Sequence, residues 1–168
     1  MVTEKEKQLI TEMFLGNITK EAFLREYPVD IDTSDFVLNL MEESLKSRHG
    51  IDVELVMMVG GLLGYSKKHV PVLSLLLTED WHRKHEDIAK ALQMLKDPRC
   101  MDQVVKAMHM KLDYWFDSGD AFIRKCAYVL GDINTKSSME TLKELSSSPN
   151  EIIRKYSLHQ LRKHGFIE

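Results

Sequence analysis

Apolar residues recur at three- and four-residue intervals along almost the whole chain, and no run alternates apolar with polar residues between turn signals. A helix buries every third or fourth residue and a strand every second, so the pattern admits helices and excludes a sheet. An all-α chain is expected. Leu9, Ile10, Met13 and Phe14 form one stripe over residues 3–15, which Gly16 ends. Thr19 caps a short second helix with Phe23, Leu24 and Tyr27 inward, and Pro28 closes it. A third helix starts near Thr33 or Ser34 and turns Val37, Leu40, Met41 and Leu45 inward as far as Gly50.

Asp52 is the expected cap of a fourth helix through Val53 to Leu63, and Pro71 sits in the first turn of a fifth over residues 70–77. Both are apolar nearly all round, which places them at the centre of a core. Neither approaches the 18 or more residues of a membrane-spanning helix. Thr78, Glu79 and Asp80 open the next helix, predicted to reach Lys96 with His85, Ile88, Leu92 and Leu95 on its inner face. After Asp97-Pro98, a helix is predicted from Arg99 to Phe116, since neither Gly nor Pro interrupts Met101, Val104, Val105, Met108, Leu112 and Trp115.

The last third repeats itself. Ile123-Arg124-Lys125-Cys126-Ala127 is echoed 30 residues later by Ile153-Arg154-Lys155-Tyr156-Ser157, and Ile88 with Ala91, Leu92 and Leu95 is a looser copy 35 residues earlier. A period of roughly 30–45 residues with two helices per unit is the mark of an α-solenoid, whose pairs bury their faces only against their neighbours. Every connection is about 2–8 residues long, as between packed helices, so 1–168 reads as one domain. Within it, 1–50 are N-terminal helices, 51–80 an apolar central pair and 81–168 the repeats.

With 43% apolar and 29% charged residues, 168 positions suffice for a core without staples. Cys100 and Cys126 stand in no metal spacing and read as buried reduced thiols. The start, Met-Val-Thr-Glu-Lys-Glu-Lys, carries acids with no apolar run behind it and is no signal peptide, so a cytoplasmic protein is expected. The net charge of −3 argues against nucleic acid as a partner. It conceals a polarity: residues 1–80 hold 8 bases and 14 acids, residues 81–168 hold 15 bases and 12 acids.

Three groups of residues are candidates for contact. Asp30, Asp32, Asp35, Glu42 and Glu43 fall within 14 positions of the acidic half and would steer a basic partner. Tyr114-Trp115-Phe116, flanked by Asp113, Asp117 and Asp120, mixes aromatics with an acidic fringe; Trp115 continues the inward stripe, leaving Asp113, Tyr114, Asp117 and Asp120 as contacts. Trp81, after Glu79-Asp80, is either a staple or an exposed anchor.

His82 and His85 share a helix face with Glu86 and Asp87 following, but no third ligand is placed, and a packed histidine on the apolar stripe is the simpler reading. No metal, cofactor or catalytic set is expected. There is no His-Glu-x-x-His, nucleophile elbow or P-loop, and Gly60-Gly61-Leu62-Leu63-Gly64 follows a helix, so it reads as close helix packing.

Ile123-Arg124-Lys125-Cys126-Ala127-Tyr128-Val129-Leu130-Gly131-Asp132-Ile133 resembles the HEAT-like repeat pattern of apolar residue, Arg, small residues and Leu-Gly. It departs by one position, Leu130 falling seven after Ile123 where eight is usual and where Leu161 stands after Ile153. The resemblance implies a right-handed α-α superhelix of about nine to eleven helices in antiparallel pairs.

Over nearly the whole chain, Phe23-Leu24-Arg25-Glu26-Tyr27-Pro28, the block Trp81-His82-x-x-His85-Glu86-Asp87-Ile88-Ala89 and Leu95-Lys96-Asp97-Pro98 resemble small bacterial helical immunity proteins of contact-dependent growth inhibition and other polymorphic toxin systems. In such a family the protein binds one cognate toxin domain, commonly a basic nuclease, and blocks it without doing chemistry. Two alternatives stay open: a general repeat scaffold or adaptor, and an enzyme, either a metal-dependent hydrolase using His82 and His85 or a DNA-base glycosylase.

Overall fold

The computed structural model describes residues 2–27 and 33–168. Among these residues it contains ten α-helices and no strand. They are α1 (Glu4–Phe14), α2 (Lys20–Glu26), α3 (Thr33–Ser47), α4 (Gly50–Leu63), α5 (Val70–Leu76), α6 (His85–Leu95), α7 (Met101–Met108), α8 (Asp120–Ile133), α9 (Lys136–Leu145) and α10 (Glu151–Lys163). Single 3-10 turns at Lys67–His69 and Pro98–Cys100 lead into α5 and α7.

Local chemistry sets several helix ends. Thr3, Thr19, Thr135 and Asn150 each accept a hydrogen bond from a first-turn amide, satisfying donors that have no partner inside the helix. Asp52 does not act as the cap of α4: His49 occupies that position, and Asp52 is buried within the first turn with its carboxylate 3.3 Å from His49 Nδ1. Asp97 takes two bonds from the Arg99 guanidinium, which hold its carboxyl down to about 2 while its Oδ1 caps the second 3-10 turn.

Packing divides the chain in two, joined by α5. On one side α1 packs on α2 and α4, and α4 on α3. On the other, α6, α8 and α10 stack in a row, with α7 and α9 against α8 and α9 also against α10. Between them α5 touches α3, α6 and α7. Ile123, Cys126, Ala127 and Leu130 of α8 are buried, as are Ile153, Ser157 and Leu161 of α10, so the repeated positions do supply the stacking faces. Each large aliphatic side chain so buried contributes about 2 kcal/mol. The side chain of Gln160 lies against Gly131, where a Cβ would stand 2.2 Å from its Oε1.

Some local expectations are overturned. The helix predicted from Glu79 begins only at His85, and the one predicted to reach Phe116 ends at Met108. Phe14 is exposed rather than inward. Of the central pair, α5 is buried at Val70, Val72, Leu73 and Leu76, but α4 leaves Ile51 and Leu62 in water. At Gly60 the close neighbour is the ring of Tyr65, which folds back over it, 2.2 Å from where a Cβ would lie. Both cysteines are buried and unpaired, and burial pushes their thiols up, Cys100 to about 11, which keeps them protonated and unreactive.

Candidate functional site: a loop-built aromatic cleft

Two irregular segments, 77–84 and 109–119, replace the predicted helices and meet over the start of α6. What holds them is a pair of histidines. His82 and His85 are buried and stacked with ring centroids 4.3 Å apart. His82 Nε2 lies 2.8 Å from Leu76 O and His85 Nε2 lies 2.6 Å from Glu79 O. A carbonyl only accepts, so both rings carry their proton on Nε2, a tautomer assigned from these partners. Each Nδ1 is then an acceptor: the Lys84 amide donates to His82 at 3.1 Å and the Tyr114 hydroxyl to His85 at 2.6 Å.

Four ring nitrogens thus have four partners, three of them backbone groups: the last carbonyl of α5 and one carbonyl and one amide of the loop. A continued helix over residues 79–84 would use these carbonyls and amides internally; the histidines offer them competing partners. Burial, and for His85 the neighbouring His82, depress both imidazoles, His85 to about 4, so the pair is neutral at physiological pH. Burial also raises the Tyr114 hydroxyl, which keeps its proton for donation.

The second segment is anchored at three points. Tyr114 is tied to His85; the Trp115 ring lies 5.2 Å from Phe122 of α8, which itself meets His85 edge-on. Gly119 has φ +82°, and a Cβ there would be 2.8 Å from the Trp115 ring, so the turn into α8 needs glycine on two counts. Asp117 accepts from the amides of Gly119 and Ala121 at 3.0 and 2.9 Å, and the Ala121 bond chiefly holds its carboxyl below the usual range. Between these anchors Phe116 has no packing at all: its side chain is fully exposed, at 105% of the reference value.

Together the segments enclose a cleft of about 470 Å³ lined by Asp80, Trp81, Arg83, Lys111, Asp113 and Tyr114. Trp81 is half-buried, bonded through Nε1 to Glu79 and covered by the Arg48 guanidinium at 5.5 Å; Arg83 lies 5.9 Å from the Tyr114 ring. Two acids and two bases balance the cleft's charge. The structure therefore brings Trp81 to the adjacent pair Asp113 and Tyr114, more than 30 positions away in the sequence, and adds Arg83 and Lys111, which apolar periodicity gave no reason to single out.

The remaining acidic candidates lie elsewhere. Asp117 is engaged as a cap, and Asp120 is held by the Tyr156 hydroxyl at 2.6 Å with Lys155 at 3.6 Å. Asp35 pairs with Lys68 and Glu43 with Lys46 on the exposed surface, and Glu42 is exposed on α3. Asp30 and Asp32 lie outside the described residues. Among the described residues no group of three or more His, Cys, Asp or Glu could hold a metal ion, and no helix is long and apolar enough to cross a membrane. No protein-family model matches the chain, and no curated protein or solved structure matches it either.

Proposed function

We propose that this all-α protein is an immunity protein, which binds a cognate bacterial toxin domain and blocks it by steric and electrostatic cover, without chemistry of its own. The observation that carries the reading is Phe116, a large apolar side chain with no internal contact, presented by a loop whose neighbours on both sides are tied down. An exposed aromatic on a tethered loop beside a charged, aromatic-walled cleft has the make-up of an interface centre, where a few such residues dominate affinity. Asp113, exposed at the cleft, and Asp80, four-fifths exposed, are the acids best placed to meet a basic partner.

The test is co-expression and titration calorimetry with the C-terminal toxin domain encoded beside this protein. Native protein is expected to bind tightly and protect the cell. The double variant Phe116→Ala and Asp113→Ala should weaken binding at least about a hundredfold. A complex unaffected by both substitutions, or no complex, overturns the reading. The balanced charge of the cleft favours a second reading, an adaptor with several partners, which would bind proteins unrelated to any toxin.

A further inference from the structure

On the other side of the start of α6 lies a second concavity, independent of the cleft and of the toxin reading. Helices α4 and α6 set out together: Gly50 at the head of α4 lies against Trp81 O and the His82 backbone, just ahead of α6. They then rest on different neighbours, α4 on α1 and α3, α6 on α5 and α8. The space left between them is a groove of about 570 Å³. Met57, Tyr65 and Ala91 line its depth, and the Tyr65 hydroxyl is turned inward to donate to Met57 O at 3.0 Å. Exposed along it are Phe14, Leu62 and Met94, at 63%, 43% and 61%, with Met58 between. Such a strip of apolar side chains in water marks a contact surface, and methionines suit one that must fit a row of side chains.

The charges on the rim select the occupant. Lys84 and Asp87 neutralise each other at 3.5 Å. Glu54 and Lys90 have no ion pair. Glu54 stands near the end where both helices begin, and Lys90 lies six residues beyond Lys84 along α6, about 9 Å further on. An acid toward one end of an apolar groove and a base toward the other complement the dipole of an α-helix. An anionic lipid surface would meet Glu54 as a repulsive charge.

We infer that this groove binds an amphipathic helix of a partner protein, laid with its N-terminus toward Glu54, its C-terminus toward Lys90 and one apolar residue per turn against Met58, Leu62 and Met94.

The test uses a phage-displayed library of helix-biased peptides of about 18 residues, and then the selected peptide, titrated while the methionine methyl NMR signals are recorded. Peptides with an apolar ridge and a basic first turn should be enriched, and binding should shift the Met58 and Met94 methyls. Leu62→Glu and Met94→Glu, both at exposed positions, should each weaken binding by about tenfold or more with unchanged circular dichroism. Glu54→Lys should weaken it about fivefold, restored when the first-turn bases of the peptide are exchanged for acids. No enrichment, or binding indifferent to Leu62→Glu and Met94→Glu, overturns the inference. So does self-association in the ultracentrifuge that Leu62→Glu abolishes, which assigns the groove to a second copy. Sedimentation with phosphatidylglycerol vesicles in place of peptide binding overturns it in favour of a membrane.

Discussion

The connections around α9 and those around α6 are built on opposite plans. From α8 to α9 the chain turns on Asn134, left-handed at φ 51°, and Thr135, which caps the helix it precedes. From α9 to α10 it turns on Ser148 and Asn150, whose side chains bond amides two or three residues away. Each of these links is satisfied by its own neighbours. Segments 77–84 and 109–119 add to their local bonds partners distant in the chain: Tyr114 on His85, 29 residues away, and Glu79 on Arg48. Locally satisfied links join one repeat helix to the next, whereas links with distant partners present side chains such as Phe116 and Asp113 to solvent, away from the core.

Removing the distant partner should be the most damaging change. His85→Ala deletes a buried ring, leaves Glu79 O and the Tyr114 hydroxyl without their partner and opens a void beside His82, at an expected cost of about 3 kcal/mol in urea unfolding. A cost below about 1 kcal/mol would mean that the loops hold themselves and the contrast fails.

Acid should act on the same point more gently. Folded His85 takes its proton only near pH 4, whereas an unfolded histidine does so near 6.5, so between these values the unfolded state binds more protons. Stability is full above pH 6.5, falls through that window and loses nothing more to this group below pH 4. By pH 5 the loss from His85 is about 2 kcal/mol, with His82 adding in the same direction. Unfolding curves at pH 7.5, 6 and 5 check this, and a flat profile would mean that the imidazoles are not buried as a neutral pair.

On the local side of the comparison, Asn150→Ala removes two bonds to the first turn of α10 and should cost about 1 kcal/mol, read as a shift in the urea midpoint. The smallest effect belongs to Phe116→Ala, which should leave that midpoint where it is; a clear loss would show that Phe116 packs on its own chain.

The same contrast explains what could be read in advance. Helices α1, α2, α8, α9 and α10 carry their boundaries in nearby residues such as Thr19, Gly119 and Ser146 to Pro149, and the stacking faces follow the Ile123 and Ile153 repeats. The errors fall where tertiary partners override local preference. Leu112 and Trp115 continue a helical spacing from Met108, yet Trp115 reaches Phe122 from a turn, and nothing in the spacing encodes Gly119 lying beneath its ring. Trp81, Asp113 and Tyr114 were legible as candidates because acids beside aromatics are unusual in a core. Their convergence was not, since it depends on the His82–His85 stack. Asp117 and Asp120 show the limit of composition: an acid in a charged run is equally a helix cap or the partner of a tyrosine.

Helix α8 touches four other helices, while the first four reach the remainder chiefly through α5. A neighbour to so many should not fray alone, so α6 to α10 are expected to exchange their amide hydrogens with solvent as one cooperative block, and α1 to α4 to open sooner, which native-state hydrogen exchange would read. Both the cleft and the groove lie against α6, so in the groove the wall expected to exchange sooner is the one built by Phe14 and α4.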